Sequence, residues 1–155
     1  MKRLIVLLAV LFMLTIPALA AEPASGDNLF GATYGYTAAD ADFDARTTMV
    51  GLNYERFVTE DFSIEVGAFT PLDVYEMEFY SGSVGLNYHL GPLFIPIRGT
   101  YSGLANAFNL GSGAGLNFYA GPLNLRFVAL ANYSLDAGAD DKTSFAVESA
   151  IRWRF

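Results

Sequence analysis

The chain contains no cysteine and a single histidine, His89. A disulfide framework and a thiolate metal centre are therefore excluded, and imidazole chemistry has only one position from which to act. Charge is also sparse. Only 16% of the 155 residues are Asp, Glu, Lys or Arg, against 53% hydrophobic, and the formal net charge is −7. An acidic chain with nine cations makes a poor partner for nucleic acid, so none is expected. Beyond residue 20 there is no apolar run of the ~18 residues that a spanning helix needs. Aromatic residues, by contrast, are abundant at 15%, too many for a disordered chain. The length suits one domain.

Lys2 and Arg3 form a basic start, Leu4 to Ile16 an apolar stretch, and Ala18-Leu19-Ala20 an A-x-A pattern. This reads as a cleaved export signal over 1–20 of bacterial style, followed by one domain over 21–155. Export places the protein beyond the inner membrane.

The remainder alternates with period two between turn residues. Strands are predicted near 29–38, 47–57, 62–70, 78–90, 93–102, 107–120, 123–133 and 143–155. Three connections are tight and contain Thr59-Glu60-Asp61, Gly91-Pro92 and Gly121-Pro122. The others are longer and polar. Tight turns alternating with loops describe an up-and-down meander. Pro96 falls inside the fifth strand, where its missing N–H predicts a bulge. Val50-Gly-Leu-Asn-Tyr54 recurs as Val84-Gly-Leu-Asn-Tyr88, as Ala114-Gly-Leu-Asn-Phe118 and, more weakly, as Ser149-Ala-Ile-Arg-Trp153. Each copy closes an even-numbered strand, so one element is used four times at one end of the fold.

Alternation alone leaves two solutions: a soluble barrel with an apolar core, or a membrane barrel with an apolar wall. The less apolar face carries Gly31, Gly35, Gly51, Gly67, Gly85, Gly111, Gly113 and Gly115, which suits a narrow lumen better than a water-exposed surface. Aromatics of the apolar face gather near strand ends. Phe30, Tyr54, Phe62, Tyr88, Phe118, Trp153 and Phe155 lie at the tight-turn end; Tyr36, Tyr80, Tyr101, Phe108, Tyr133 and Phe145 lie at the loop end. Two aromatic girdles around an apolar band mark a transmembrane barrel. Ten residues at ~3.3 Å each, tilted by about 45°, cross ~23 Å, near the height of such a band.

The last strand, Ser144 to Phe155, alternates and ends on Ile151, Trp153 and Phe155. It resembles the C-terminal assembly signal of bacterial outer-membrane barrels, which implies delivery to the barrel-assembly machinery. In architecture the chain resembles the small eight-stranded OmpA/OmpX-type barrels. That resemblance implies an all-β, eight-stranded antiparallel up-and-down transmembrane barrel, located in the bacterial outer membrane among lipid and lipopolysaccharide, with both termini periplasmic.

Parity turns Glu55, Glu65, Arg98, Arg126, Glu148, Arg152 and Arg154 inward. Buried charges of both signs must pair. Glu65, Arg98, Arg126 and Glu148 stand away from their strand ends and form the expected centre, with Arg152 nearby. They read as a salt-bridged plug; the alternative is a narrow solute channel gated by partner exchange. Some small outer-membrane barrels process lipid A with His, Ser and an acid near the outer leaflet. Here His89 sits at the tight-turn end and reads as a polar residue of the lumen mouth, so no catalysis and no cofactor is expected. The loops are acidic, with Asp40, Asp42, Asp44, Asp73, Glu76, Asp136, Asp140 and Asp141. Asp40-x-Asp42-x-Asp44 lacks the glycine and distal glutamate of a calcium loop; the rim is expected at most to recruit divalent cations that also bridge lipopolysaccharide phosphates. The functional expectation is a non-enzymatic barrel with a mostly closed lumen, serving envelope integrity or surface interaction. The alternatives are the gated channel and a soluble lipocalin-like barrel with its faces reversed.

Overall fold

The computed structural model describes residues 23–38, 46–72, 81–103, 106–136 and 143–155. They form eight strands: β1 (Asn28–Ala38), β2 (Arg46–Phe57), β3 (Phe62–Pro71), β4 (Ser81–Leu90), β5 (Leu93–Ser102), β6 (Ala107–Ala120), β7 (Leu123–Ser134) and β8 (Thr143–Arg154). Each pairs antiparallel with its sequence neighbour, and β8 returns to β1 to close the barrel. The predicted strands agree to within a residue at each end, except that 78–80 lie outside the described residues.

Closure fixes the geometry. The line of partners from Asn28 runs through Arg56, Ile64, Leu86, Ile97, Ser112, Ala131 and Phe145 and comes back to β1 at Ala38, ten residues further on. Ten residues of stagger over eight strands, at ~3.3 Å rise and ~4.8 Å spacing, tilts the strands by about 40° and leaves a backbone radius of about 8 Å. A lumen this narrow is filled by side chains.

Two of the tight turns show why these residues were suited to them. Leu90 pairs with Leu93 across Gly91-Pro92, and Ala120 with Leu123 across Gly121-Pro122. Gly91 and Gly121 both hold φ at +62°. A positive φ at the first turn position, followed by proline, is the glycine-first pattern of a two-residue hairpin whose twist matches its strands. The start of β1 and the end of β8 meet at this same end of the barrel: the Asn28 carboxamide donates to the Phe155 carbonyl, and the Arg154 N–H to the Pro122 carbonyl.

Pro96 produces no bulge. β5–β6 pairing is interrupted at Ile95 and Pro96, but the register is the same on both sides, so no residue has been inserted. The Ser112 hydroxyl instead donates to the Pro96 carbonyl at 2.9 Å and repairs part of the loss.

The apolar set faces outward. Leu52, Val84, Leu86 and Ile97 are all more than half exposed, and with Ile64, Val66, Leu110 and Val147 they make a continuous apolar wall. The reversed-face, lipocalin-like alternative is thereby corrected, since its apolar core would have to be this outer surface. Among the girdle residues, Phe30, Tyr88 and Tyr133 are exposed and Tyr54, Phe118, Tyr36 and Tyr101 half-buried on the outer wall. Tyr80 lies outside the described residues. Ile151, Trp153 and Phe155 are exposed on the same wall.

Candidate functional site

The lumen is the one place where chemistry-bearing side chains converge among the described residues, and it is layered. Nearest the tight turns, Leu29, Phe57 and Tyr119 are buried against one another and seal the floor. Burying these three inward-facing apolar side chains excludes water from the layer above.

That layer is a charge network. Glu55, with no exposed surface, accepts from Arg152 Nη1 and Ser63 Oγ in short contacts, and from Asn87 Nδ2 at 2.6 Å. Arg126 Nη1 lies 3.5 Å from it. Glu65 accepts from Arg126 Nη1 at 2.6 Å, Asn87 Nδ2 at 3.0 Å and Asn53 Nδ2 at 3.2 Å, and Arg98 Nη2 lies 3.5 Å away. Arg152 is held from its other sides by Asn124 Oδ1 at 2.8 Å and Asn117 Oδ1 at 2.9 Å. The Arg126 guanidinium stacks 4.1 Å from the centre of the Phe94 ring. Above this layer Arg98 Nη1 donates to both oxygens of Glu148, at 2.7 and 2.8 Å. Three carboxylates thus meet three guanidiniums inside the wall, and the pairing that low-dielectric burial demands is met. Arg154, inward by parity, instead reaches the rim, with Nη1 3.7 Å from Asp27.

The structure thus brings Glu65, Arg98, Arg126, Glu148 and Arg152 together but puts Glu55 at the hub, a residue the sequence places inward and not at the centre. Sequence reasoning also missed Asn53, Asn87 and Asn117, although the signal was present. They are the asparagines of the Gly-Leu-Asn-Tyr repeat, and all three are buried in the lumen. In the fourth, diverged copy the same position is Arg152. The repeat is therefore a ring of inward polar groups, three carboxamides and one guanidinium, closing around Glu55 and Glu65.

The inward glycines make room for large partners. A Cβ on Gly115 would lie 2.2 Å from the Phe94 ring, and one on Gly67 2.8 Å from the Phe69 ring. Phe94 reaches over the Gly115 notch to Val128, and with Leu130 and Ala146 forms an apolar strip up one side of the lumen. This strip explains the inward parity of Val128 and Leu130.

His89 is not at an open mouth. It is buried, with its ring centre 4.7 Å from that of Phe57 and 5.6 Å from that of Phe94. Its Nε2 lies 2.8 Å from Ser63 Oγ and 3.3 Å from Glu55 Oε1. A nucleophile–base–acid relay needs hydroxyl and carboxylate on opposite ring nitrogens. Here both face the same nitrogen, in the layer above the sealed floor, so these three residues do not form such a relay. No cluster of metal-ligating residues occurs among the described residues. Of the acidic loop residues only Asp136 is described; Asp40, Asp42, Asp44, Asp73, Glu76, Asp140 and Asp141 are outside.

Towards the loop end the lumen opens into a cavity of about 150 Å³ with Arg98 and Glu148 at its base.

No protein-family model matches the chain, and no curated protein sequence matches it. Solved structures do. The N-terminal β-barrel domain of Pseudomonas aeruginosa OprF aligns with a TM-score of 0.65 at 15% identity, over 86% of this chain and all (100%) of that one. A de novo designed transmembrane β-barrel aligns at 0.55 and 17% identity, over 87% and 100%. Neisserial surface protein A aligns at 0.52 and 15% identity, over 86% and 100%. The chain shares their closed eight-stranded barrel fold.

Proposed function

We propose that the chain is an integral outer-membrane barrel, inserted with both termini in the periplasm, that performs no catalysis and whose lumen is plugged by its own side chains. The observation that carries this reading is the inversion of the two faces: Leu52, Val84, Leu86 and Ile97 point away from the barrel, while Glu55, Glu65, Arg98, Arg126 and Arg152 are buried inside it and Glu148 is half-buried there. Water would reject that outer wall; a hydrocarbon bilayer accepts it, because the closed ladder leaves no strand edge. The aromatic rings at the two ends then sit at headgroup level, and Arg56 at the tight-turn end extends its charge to the same level. Residues 1–20 serve export, and Ile151, Trp153 and Phe155 serve recognition by the assembly machinery. The role that follows is structural, in envelope integrity, or one of surface interaction through the loops. The acidic loops recruit divalent cations shared with lipopolysaccharide phosphates; calorimetry with Mg²⁺ and Ca²⁺ in detergent at physiological ionic strength tests this, and absence of heat refutes it.

The deciding experiment is gel mobility of the membrane fraction, boiled and unboiled in SDS. A closed lipid-facing barrel resists SDS until heated and then shifts. A chain recovered from the soluble periplasm with no shift overturns the reading. A second reading, a gated channel, draws on one feature: Arg98 lies between two carboxylates, bonded to Glu148 and 3.5 Å from Glu65. Planar-bilayer recordings separate the two. The plug gives no steps, and Arg98→Ala lowers stability; a gate conducts, and Arg98→Ala changes its conductance.

A further inference from the structure

We propose that the cavity at the loop end is a blind cup that binds one uncharged aromatic ring of about the size of benzene. The proposal rests on the plugged-barrel reading, because the plug is what gives the cup a base. Arg98 and Glu148 close it from below, with the charge network and the apolar floor beneath them. Whatever enters leaves by the same mouth, so the cup holds a guest and does not pass one.

The walls select the class. The surface open to a guest is mainly carbon. Its chief feature is Phe69. A Cβ on Gly51 would lie 2.6 Å from the Phe69 ring, and one on Gly67 2.8 Å from it, so the two glycines are notches in which the ring lies. Packed there, Phe69 is still only half-buried, and it lines the cup. It is a fixed aromatic platform with surface left for a partner. A second ring meets such a platform well in offset or edge-to-face contact. Met49, also half-buried, lies beside it on the same inner face, since Met49 pairs with Pro71 and Gly51 with Phe69. Its thioether favours an aromatic neighbour as well. Leu130 and Ala146 continue the apolar lining on β7 and β8. Charge at the base is already matched, because both oxygens of Glu148 accept from Arg98. A cation would compete with Arg98 for that carboxylate, and an anion would be repelled by it. The hydroxyl residues Thr37, Thr47, Ser102 and Ser144 stand at the loop ends of their strands, so they rim the mouth above the apolar surface. A neutral hydroxyl on the guest can bond there. Size agrees: the cup is about 150 Å³, and a cavity of roughly that volume holds benzene.

The test uses methyl-labelled protein in nanodiscs of deuterated phospholipid, titrated with benzene, phenol, cyclohexane, benzoate and benzylammonium. Nuclear Overhauser contacts from the guest are read at two sets of methyls. Met49, Thr100 and Leu130 lie inside the wall, and Leu52, Val84 and Leu86 outside it. Saturable contacts from benzene and phenol to the inner set support the proposal. Contacts to the outer set alone mean simple partition into lipid and overturn it. Phe69→Leu keeps an apolar wall and removes the platform, and should lower benzene affinity about fivefold. Ser144→Phe and Thr100→Phe fill the cup from different strands, and each should abolish the inner contacts; either suffices if the other does not fold. Folding of each sample is read from heat-dependent gel mobility, which also keeps failure of the barrel reading distinct from failure of this one. On folded protein, three further results each overturn the proposal. They are equal affinity for benzoate, benzylammonium or cyclohexane, unchanged benzene affinity in Phe69→Leu, and inner contacts that persist in a filled variant.

Discussion

Glu55→Gln is the most direct challenge to a sealed lumen. The substitution keeps the side-chain shape and removes one negative charge. Glu55 has no exposed surface, and Arg152, its closest cationic partner, is equally buried. After the change the described lumen holds three guanidiniums and two carboxylates, and the nearest remaining carboxylate, that of Glu65, is already bonded to Arg126. Stranding a buried charge in this way costs about 3–5 kcal/mol, far above the ~0–1 kcal/mol of an exposed pair. Whichever way the glutamine amide turns, its N–H₂ meets another donor: the Asn87 N–H₂ in one orientation, the Arg152 guanidinium in the other. The assay is urea unfolding in lipid vesicles, read by heat-dependent gel mobility. A double variant, Glu55→Gln with Arg152→Met, restores charge balance and should recover at least about 2 kcal/mol of the loss, a coupling at the upper end for directly bonded pairs. A loss below about 1 kcal/mol in Glu55→Gln, with additive behaviour in the double variant, would refute the reasoning. It would mean that water reaches the network and screens it.

Three further outcomes follow from the same geometry. Gly115→Val drives a side chain into the Phe94 ring, since even a Cβ there stands at 2.2 Å; the expected loss is about 1–3 kcal/mol in the same unfolding assay, relieved only in part by Phe94→Leu, because the Phe127 carbonyl oxygen stays 2.9 Å from that Cβ. Leu52→Arg puts a charge halfway along the outer wall and should cost about 2–4 kcal/mol in vesicles, whereas Phe62→Arg, in the tight-turn girdle, should cost only about 0–1 kcal/mol. Equal costs at the two positions would contradict a bilayer-spanning wall. Planar-bilayer recordings of the unmodified protein should show no steady conductance, because Leu29, Phe57 and Tyr119 close the lumen at its tight-turn end and the charge network fills it above them.

How much of this was legible beforehand depends on period. A strand exposes its two faces at every second residue, so the order of eight strands, the inward parity of Glu65, Arg98, Arg126, Glu148 and Arg152, and the outward parity of Phe30, Tyr54 and Trp153 all follow from alternation. Distances across the lumen do not. Glu55 looked peripheral because it stands near the end of β2, but the ten-residue stagger lifts β8 until Arg152 faces it. His89 looked like a mouth residue for the same reason, and the inward Phe57 and Phe94 that enclose it interrupt an otherwise polar parity. The asparagines of the repeat were visible as a pattern, yet nothing local says that Asn53 and Asn87 close on the two carboxylates while Asn117 accepts from the guanidinium of Arg152. Pro96 pointed to a bulge by the usual rule; the neighbouring Ser112 hydroxyl supplied a cheaper repair.

The hub at Glu55 also carries a consequence for how the barrel is made. Its carboxylate is laid down on the second strand, and its principal counter-charge, Arg152, arrives on the last, 97 residues later. No hairpin built early contains both. While the sheet is still open, Glu55 has to remain hydrated, and the strands that bear it cannot fully dehydrate their inner face. Loop closure over such a separation is slow and comes late. Sealing of the interior is therefore tied to docking of the terminal strand, and the ion pair acts as a latch. A chain truncated before β8 lacks a counter-ion at its centre as well as one-eighth of its wall, and should stay wet and sensitive to protease even if seven strands have paired.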